Sequence, residues 1–284
     1  MPNLEQKGKA ETLRALHLGK KPLLLPNVWD VASARIVEAA GFPALATTSA
    51  GIAFGRGFPD GEVISAQRML GAVAQIASAV RVPLTADVEA GYGTRPEDAA
   101  HTARGVIEAG AVGMNLEDGS GDAKHPLIEL RLQLEKIHAI REAAQQLGVP
   151  LVLNARTDVY LLQVGDAAKR YDEAMRRLSA FRDAGADCVF LPGVRDAETI
   201  RRIVTDLACP VNILAGPGSP SVGELAALGV RRISLGSAPM RAAMGLLRRL
   251  AMELEAQGTY TNLDGAPSHA EMNALMSSDP VSQG

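Results

Sequence analysis

The 284-residue sequence has only two cysteines, Cys188 and Cys209, which excludes a disulfide framework and a cluster of thiolate metal ligands. Aromatic residues are scarce at 4%, and 29 Lys+Arg against 32 Asp+Glu leave a net charge of −3. With no Lys/Arg cluster interleaved with aromatics, the chain has no footprint for nucleic acid. No apolar run reaches the roughly 20 residues of a membrane span, and the polar start MPNLEQKGKAETLRAL lacks a signal-peptide core. The expectation is a cytoplasmic protein with neither nucleic-acid nor membrane partners. What is present is core-forming material: 47% hydrophobic and 21% charged residues, which suits a folded chain.

Short apolar segments recur, each followed by a helix-length stretch. The expected strands are 22–26, 43–48, 83–87, 112–117, 150–155, 188–191, 210–214 and 232–235. They do not alternate apolar with polar, as expected for strands covered on both faces. Odd-numbered strands open on Pro22, Pro83, Pro150 and Pro210; even-numbered ones follow helices ending at Gly41, Gly110, Gly185 and Gly229. Tyr171, Ala174, Met175, Leu178 and Phe181 form one helical stripe, with Asp166 as its expected N-cap and Gly185 as its stop. A further helix is expected from Ala238 to about Ala256. Eight strand–helix units point to an α/β fold, a (β/α)8 TIM barrel over residues 1–256, with 257–284 as a C-terminal arm or tail. The alternative is an open doubly wound sheet.

In such a barrel the C-terminal strand ends converge on one mouth. There the sequence places Thr47-Thr48-Ser49-Ala50-Gly51, Asp87-Val88-Glu89, Asn115-Leu116-Glu117-Asp118, Asn154-Ala155-Arg156-Thr157-Asp158 and Asn212. Carboxylates gathered from separate strands repel one another unless a cation or a proton offsets them. An all-oxygen set favours a hard ion, Mg2+ or alternatively Mn2+, and Asp87, Glu89 and Glu117 are the ligand candidates. Arg156 suits a substrate carboxylate or phosphonate, or else a salt bridge to Asp158. The main chain at Ser49, Ala50 and Gly51 can donate N–H groups to an anion, unless these small residues serve packing alone. Tyr92 offers a hydroxyl beside the metal or a lid contact. His17, His101 and His138 read as surface or helix-packing residues.

The segments LPNVWDVASARIVEAAG, TTSAGIAFGRGFPDGE, TADVEAGYG, NLEDG and LNARTD, followed by Asn212, resemble the isocitrate lyase/phosphoenolpyruvate mutase superfamily from about Leu23 to Leu250. The nearest subgroup is the phosphonomutase-like one. The resemblance implies a barrel whose last helix swaps between subunits, giving homo-oligomers, dimers or tetramers. It implies Asp87 as direct Mg2+ ligand, with Asp60, Glu89 and Glu117 acting directly or through water. It also implies an oxo acid held by Ser49, Ala50 and Gly51, with Arg156 adding charge and Asn212 facing the same pocket. Trp29 falls near the mouth, as a pocket residue or as rim packing.

Departures from the family narrow the chemistry. The lyases carry Lys-[Lys/Arg]-Cys-Gly-His after the fourth strand, with the cysteine as general acid; here the loop from Asp118 to Pro126 has none. Cys188 and Cys209 read as buried small hydrophobes. The mutases' Glu-Asp-Lys becomes Glu117-Asp118-Gly119. Lys124 and His125 on this short lid are candidates for proton supply or for binding a distal carboxylate, or are simply solvated. The expected function is a Mg2+-dependent lyase that cleaves or decarboxylates a small, oxaloacetate-like 2-oxo acid through an enolpyruvate-like intermediate. The alternatives are a phosphoenolpyruvate/phosphonopyruvate mutase or hydrolase, and a non-catalytic 2-oxo acid binding barrel.

Overall fold

The computed structural model describes residues 4–277. Its strands are Leu23–Leu25 (β1), Asn27–Val28 (β2), Leu45–Thr47 (β3), Leu84–Asp87 (β4), Gly113–Glu117 (β5), Val152–Arg156 (β6), Cys188–Phe190 (β7), Val211–Leu214 (β8) and Arg232–Ser234 (β9). All pair in parallel, in the order β1-β9-β8-β7-β6-β5-β4-β3-β2, a TIM-barrel fold. The helices are Leu4–His17 (α1), Val31–Ala39 (α2), Ser49–Gly55 (α3), Ala66–Ala79 (α4), Pro96–Glu108 (α5) and Leu130–Leu147 (α6). There follow Arg170–Asp183 (α7), Ala197–Leu207 (α8), Val222–Ala227 (α9), Ala238–Gln257 (α10) and His269–Ser277 (α11).

The first expected strand is two pieces. β1 pairs with β9 and β2 with β3, and Pro26 stands between them with no N–H to give to a ladder. Asn27 stitches this seam: its Oδ1 accepts from the N–H groups of Leu235 and Gly236 at 2.8 Å, and its Nδ2 donates to Thr47 O at 2.8 Å. Every residue of β3, β4 and β7 is buried, which is why these strands read as unbroken apolar runs. The four helix-end glycines expected from the pattern, Gly41, Gly110, Gly185 and Gly229, have φ of 88°, 90°, 107° and 89°, the left-handed region that stops a helix. One cap differs from expectation. α7 begins at Arg170, and Asp166 instead accepts from the Ala168 N–H at 3.0 Å in the preceding turn.

The C-terminal arm folds back on the barrel. α11 packs on α2, and the buried Arg35 donates to the carbonyls of Leu275 and Met276, where a cation complements a helix C-terminus. Residues 278–284 of the expected arm lie outside the described residues. Among the described residues no helix is long and apolar enough to cross a membrane.

A polar chain runs through the barrel interior. The Arg232 guanidinium donates from Nη2 to Asn115 Oδ1 at 3.2 Å, and its Nη1 faces His17 Nε2 at 3.4 Å. Arginine can only donate, so Nε2 is the acceptor and Nδ1 carries the proton, 2.8 Å from Leu13 O. His17 is therefore a core residue, unlike the exposed His101 and His138. Burial first, then Arg232, lowers its pKa to about 4. The unfolded chain takes up this proton near pH 6.5, so His17 contributes stability above that pH and loses it as the pH falls toward 4. The gap corresponds to about 3 kcal/mol. His17→Gln is expected to flatten the loss of stability between pH 6.5 and 4 in denaturant titrations; an unchanged pH slope contradicts the assignment.

Candidate active site

β4, β5 and β6 end side by side, and their register sets Asp87 beside Asn115 and Glu117 beside Arg156. Asp87 is almost completely held by donors. Its Oδ2 accepts from Ser49 N–H at 3.1 Å and Ser49 Oγ at 3.0 Å, and its Oδ1 accepts from Asn115 Nδ2 at 3.3 Å. Asn115 is aimed in turn by Asn154 Nδ2, 2.8 Å from its Oδ1, and by Arg232. Arg156 Nη1 meets Glu117 Oε2 at 2.7 Å, while Nε and Nη2 reach the Asp158 carboxylate at 2.5 and 3.1 Å. The salt bridge to Asp158 is thus formed. Two of the guanidinium's five N–H bonds are committed to Asp158, and Nη1 is ion-paired with Glu117.

Asp158 is placed from below. Asp118, fully buried, accepts from the Asp158 N–H at 2.8 Å, Thr157 Oγ1 at 2.6 Å and Arg177 Nη1 at 3.1 Å. Burial pushes the Asp118 carboxyl up to about 6 against the pull of these partners. Asp118 and Arg177 therefore form an internal foundation and lie beneath the mouth.

The loop after β4 is strained and tied down. Glu89 and Tyr92 have φ of 54° and 56°, a costly region for residues with side chains. Glu89 Oε2 accepts from the Glu62 N–H at 2.5 Å, and Glu62 Oε1 accepts from the Tyr92 N–H at 2.7 Å, so two loops cross-link reciprocally. From α6 the buried Lys136 donates to Ala90 O at 2.9 Å and Gly93 O at 2.7 Å. Neither Glu62 nor Lys136 is distinguished in the sequence; they become visible only when loops 27–46 residues apart meet. Lys136→Met strands two half-buried carbonyls. The expected cost is about 2 kcal/mol by denaturant unfolding, with faster amide exchange from Glu89 to Gly93; unaltered exchange there argues against the staple.

Five carboxylates, those of Asp60, Asp87, Glu89, Glu117 and Asp158, act electrostatically on one another around the single Arg156. Burial, then Asp87, raises Asp60; burial, then Asp60 and Asp87, raises Glu89 to about 7. Burial also lifts Glu117 against the pull of Arg156. Burial opposes the charge on Arg156, but Glu117, Asp158 and Asp87 outweigh it and keep the guanidinium charged. Burial, then the negative charges of Glu89, Glu62 and Asp87 and a hydrogen bond to the Glu89 carboxylate, drive the Tyr92 phenol upward. Among the described residues no three His, Cys, Asp or Glu side chains already converge on one ion position.

A cavity of about 620 Å³ opens beside this cluster, lined by Asp60, Glu62, Glu89, Glu117, Arg156, Asp158 and Lys136, by the lid, and by Leu161 and Leu162. It gathers only part of the expected set. Lys124 and His125 are exposed and are not among its lining residues. Trp29, Ser49, Ala50, Gly51, Asp87, Tyr92 and Asn212 do not line it either. The Ser49 N–H is engaged by Asp87, and the Gly51 N–H faces Thr48 Oγ1 at 3.3 Å. A Cβ at Gly51 would stand 2.5 Å from Thr48 Cγ2 and 3.1 Å from Trp29 Cβ, so close packing explains the glycine, and Trp29 packs against the core. Asn212 is buried and paired with Ser234 at 3.2 Å. Cys188 is fully buried, its thiol pushed up to about 12 by burial, and Cys209 is half-buried; neither lies on the lid.

Comparison with known proteins gives a consistent picture. The family model described as phosphoenolpyruvate phosphomutase matches residues 13–255. The crystal structure of a candidate lyase/mutase from Burkholderia cenocepacia superposes with a TM-score of 0.92 at 40% identity, covering 98% of this chain and 99% of that one. An oxaloacetate decarboxylase of Bradyrhizobium is 28% identical over 277 residues, 94% of this chain and 92% of that protein. A phosphonopyruvate hydrolase solved with oxalate and Mg2+ has a TM-score of 0.82 at 25% identity, covering 94% of each chain.

Proposed function

The chain belongs to the phosphoenolpyruvate phosphomutase family, within the isocitrate lyase/phosphoenolpyruvate mutase superfamily, and on that footing we propose a Mg2+-dependent lyase. It would cleave a C–C bond of, or decarboxylate, a small 2-oxo acid through an enolpyruvate-like intermediate. The observation that carries this reading is the excess of buried carboxylate charge around one arginine at the ends of β4, β5 and β6. Such an excess is offset by protons or by a cation, and an all-oxygen cluster of this kind suits a hard divalent ion. Asp87 would hold the ion directly, with Asp60, Glu89 and Glu117 directly or through water, since Mg2+ keeps part of its hydration shell. When bound, the ion supplies Lewis acidity toward an oxo group.

The protein's own residues do the rest. Arg156, kept charged and oriented by Glu117 and Asp158, lines the cavity. There it stabilises negative charge that develops on the substrate oxygen, an effect often worth several kcal/mol. The hydrogen-bonded lid, with Ser120 N–H on Pro126 O at 3.0 Å and Ile128 N–H on Asp118 O at 2.7 Å, limits water at the site. No lid residue supplies a thiol, so the departing fragment must leave without the lyases' cysteine proton donor.

The likeness to a phosphonopyruvate hydrolase keeps P–C cleavage as the second reading. One assay separates them: pyruvate release and inorganic phosphate release are followed over a panel of 2-oxo and phosphono acids with Mg2+ and with EDTA. Metal-dependent pyruvate without phosphate supports the lyase. Phosphate from phosphonopyruvate favours the hydrolase, and Mg2+-dependent binding without product leaves a non-catalytic binder. The exposed Leu246, Leu247, Met252 and Leu254 on α10 suit the swapped-helix homo-oligomer that the family resemblance implies.

A further inference from the structure

Arg232 opens β9 and reaches across the barrel interior to β5, with only 1% of its surface exposed. Among the described residues no carboxylate pairs with it directly. Nη2 donates to Asn115 Oδ1 at 3.2 Å, Nη1 faces His17 Nε2 at 3.4 Å, and Nε has no partner. Burial opposes the charge on Arg232; of the two groups that act the other way, the Cys188 thiol is neutral, which leaves the Asp87 carboxylate. A buried cation with no direct counter-ion costs stability, so packing alone does not account for an arginine here. It does not line the cavity either.

The Asn115 carboxamide stands between this cation and Asp87. Its Oδ1 accepts from Arg232 Nη2 and from Asn154 Nδ2, and its Nδ2 donates to Asp87 Oδ1 at 3.3 Å. A carboxamide keeps nearly the same shape after a half-turn, so its neighbours alone set its direction. Asn154 cannot set it. Its own Oδ1 is buried without a partner, so after a half-turn it would accept from Asn115 as well as it now donates. Arginine has no acceptor to offer. Beside Arg232, a reversed Asn115 would turn an N–H toward a cation and its carbonyl toward a carboxylate, two unfavourable contacts at once. Arg232 thus fixes Asn115 as a donor, and with Ser49 on Oδ2 both oxygens of Asp87 are held in one orientation at the mouth.

We propose that Arg232 is a positioning residue for Asp87, acting across the barrel through the direction of the Asn115 amide while touching neither substrate nor ion. This rests on the reading of Asp87 as the ligand of a divalent ion.

The test is Mn2+ affinity of the full chain by electron paramagnetic resonance, with thermal unfolding of the metal-free protein as the control for folding. Arg232→Met is expected to weaken Mn2+ binding about tenfold while the fold is retained. Arg232→Gln keeps a hydrogen bond to Asn115 but can turn either a donor or an acceptor to it, so it is expected to weaken binding as well. Arg232→Lys, which can only donate, is expected to bind close to wild type. Asn115→Leu should lose as much affinity as Arg232→Met, and adding the second change to the first should lose nothing more. If Asp87→Asn loses Mn2+ while Arg232→Met and Arg232→Gln bind as wild type does, the inference is overturned and the reading of Asp87 stands. If Asp87→Asn binds unchanged, both fall. Should Arg232→Met fail to fold, the lysine and glutamine variants decide: equal affinity in the two overturns the directional role, as do additive losses with Asn115→Leu.

Discussion

Asp87→Asn is expected to lower metal-dependent turnover by about 10³-fold and to weaken Mn2+ binding in parallel. The melting temperature should change little, because relief of carboxylate repulsion offsets the misdirected amide donor. The reason lies in the character of its three hydrogen bonds. Both Asp87 oxygens accept, from Ser49 and from Asn115, so an amide in the same volume must turn a donor toward one of these donors. The ligand charge disappears, and the cluster is relieved of one of five mutually repelling carboxylates. Loss of activity with retained or raised stability is the signature of a functional group held at energetic cost. A variant that kept both Mn2+ affinity and turnover would falsify the assignment of Asp87. Measured side by side, Mn2+ binding by electron paramagnetic resonance and thermal unfolding separate this outcome from simple misfolding.

Arg177→Met is expected to produce the largest loss of stability, about 3–5 kcal/mol, or a fall in Tm of roughly 10 °C. The variant leaves Asp118, with no accessible surface, without its counter-ion. It also frees Ile128 O, which Arg177 Nη1 bonds at 3.0 Å, and so loosens the foot of the lid. Because Asp118 holds the Asp158 backbone and Asp158 holds Arg156, substrate affinity should weaken although Arg177 does not itself line the cavity. The double variant Asp118→Asn with Arg177→Met is expected to recover much of the stability, since no uncompensated charge then remains buried. Equal instability in the single and double variants would mean that packing of the arginine stem, and not the ion pair, carries the effect.

How much of this could be read in advance depends on sequence distance. The strand–helix alternation is local: each apolar run, each opening proline and each helix-ending glycine acts within one unit, so all the expected strands are present with small shifts at their ends. The departures are local too, but competitive. Pro26 splits the first strand because it lacks a donor, and Asp166 spends its carboxylate on a turn before α7 begins. At the mouth, the placing of Asp87, Glu117 and Arg156 at adjacent strand ends follows from register alone. The occupancy of Arg156 does not. Its two readings, a substrate anion or Asp158, both remain open in the sequence, and the backbone anchor from Asp118 places Asp158 to take two of its N–H bonds. Lys124 and His125 attract attention by residue type, yet the lid's own hydrogen bonds turn Asp122 and Pro126 to the cavity and leave that pair in solvent.

The order of residues by itself determined the barrel, the family and the gathering of acids at one end, because periodic burial and turn chemistry are settled within about thirty residues of chain. Only the tertiary structure decided which of those groups are free to act. Lys136 ties the strained Glu89 loop, Glu62 braces it, Asp118 and Arg177 carry Asp158, and the leucines after β6 line the cavity. Each of these pairings joins distant parts of the chain, and a side chain's freedom depends on which donors and charges the closed barrel brings within hydrogen-bonding reach.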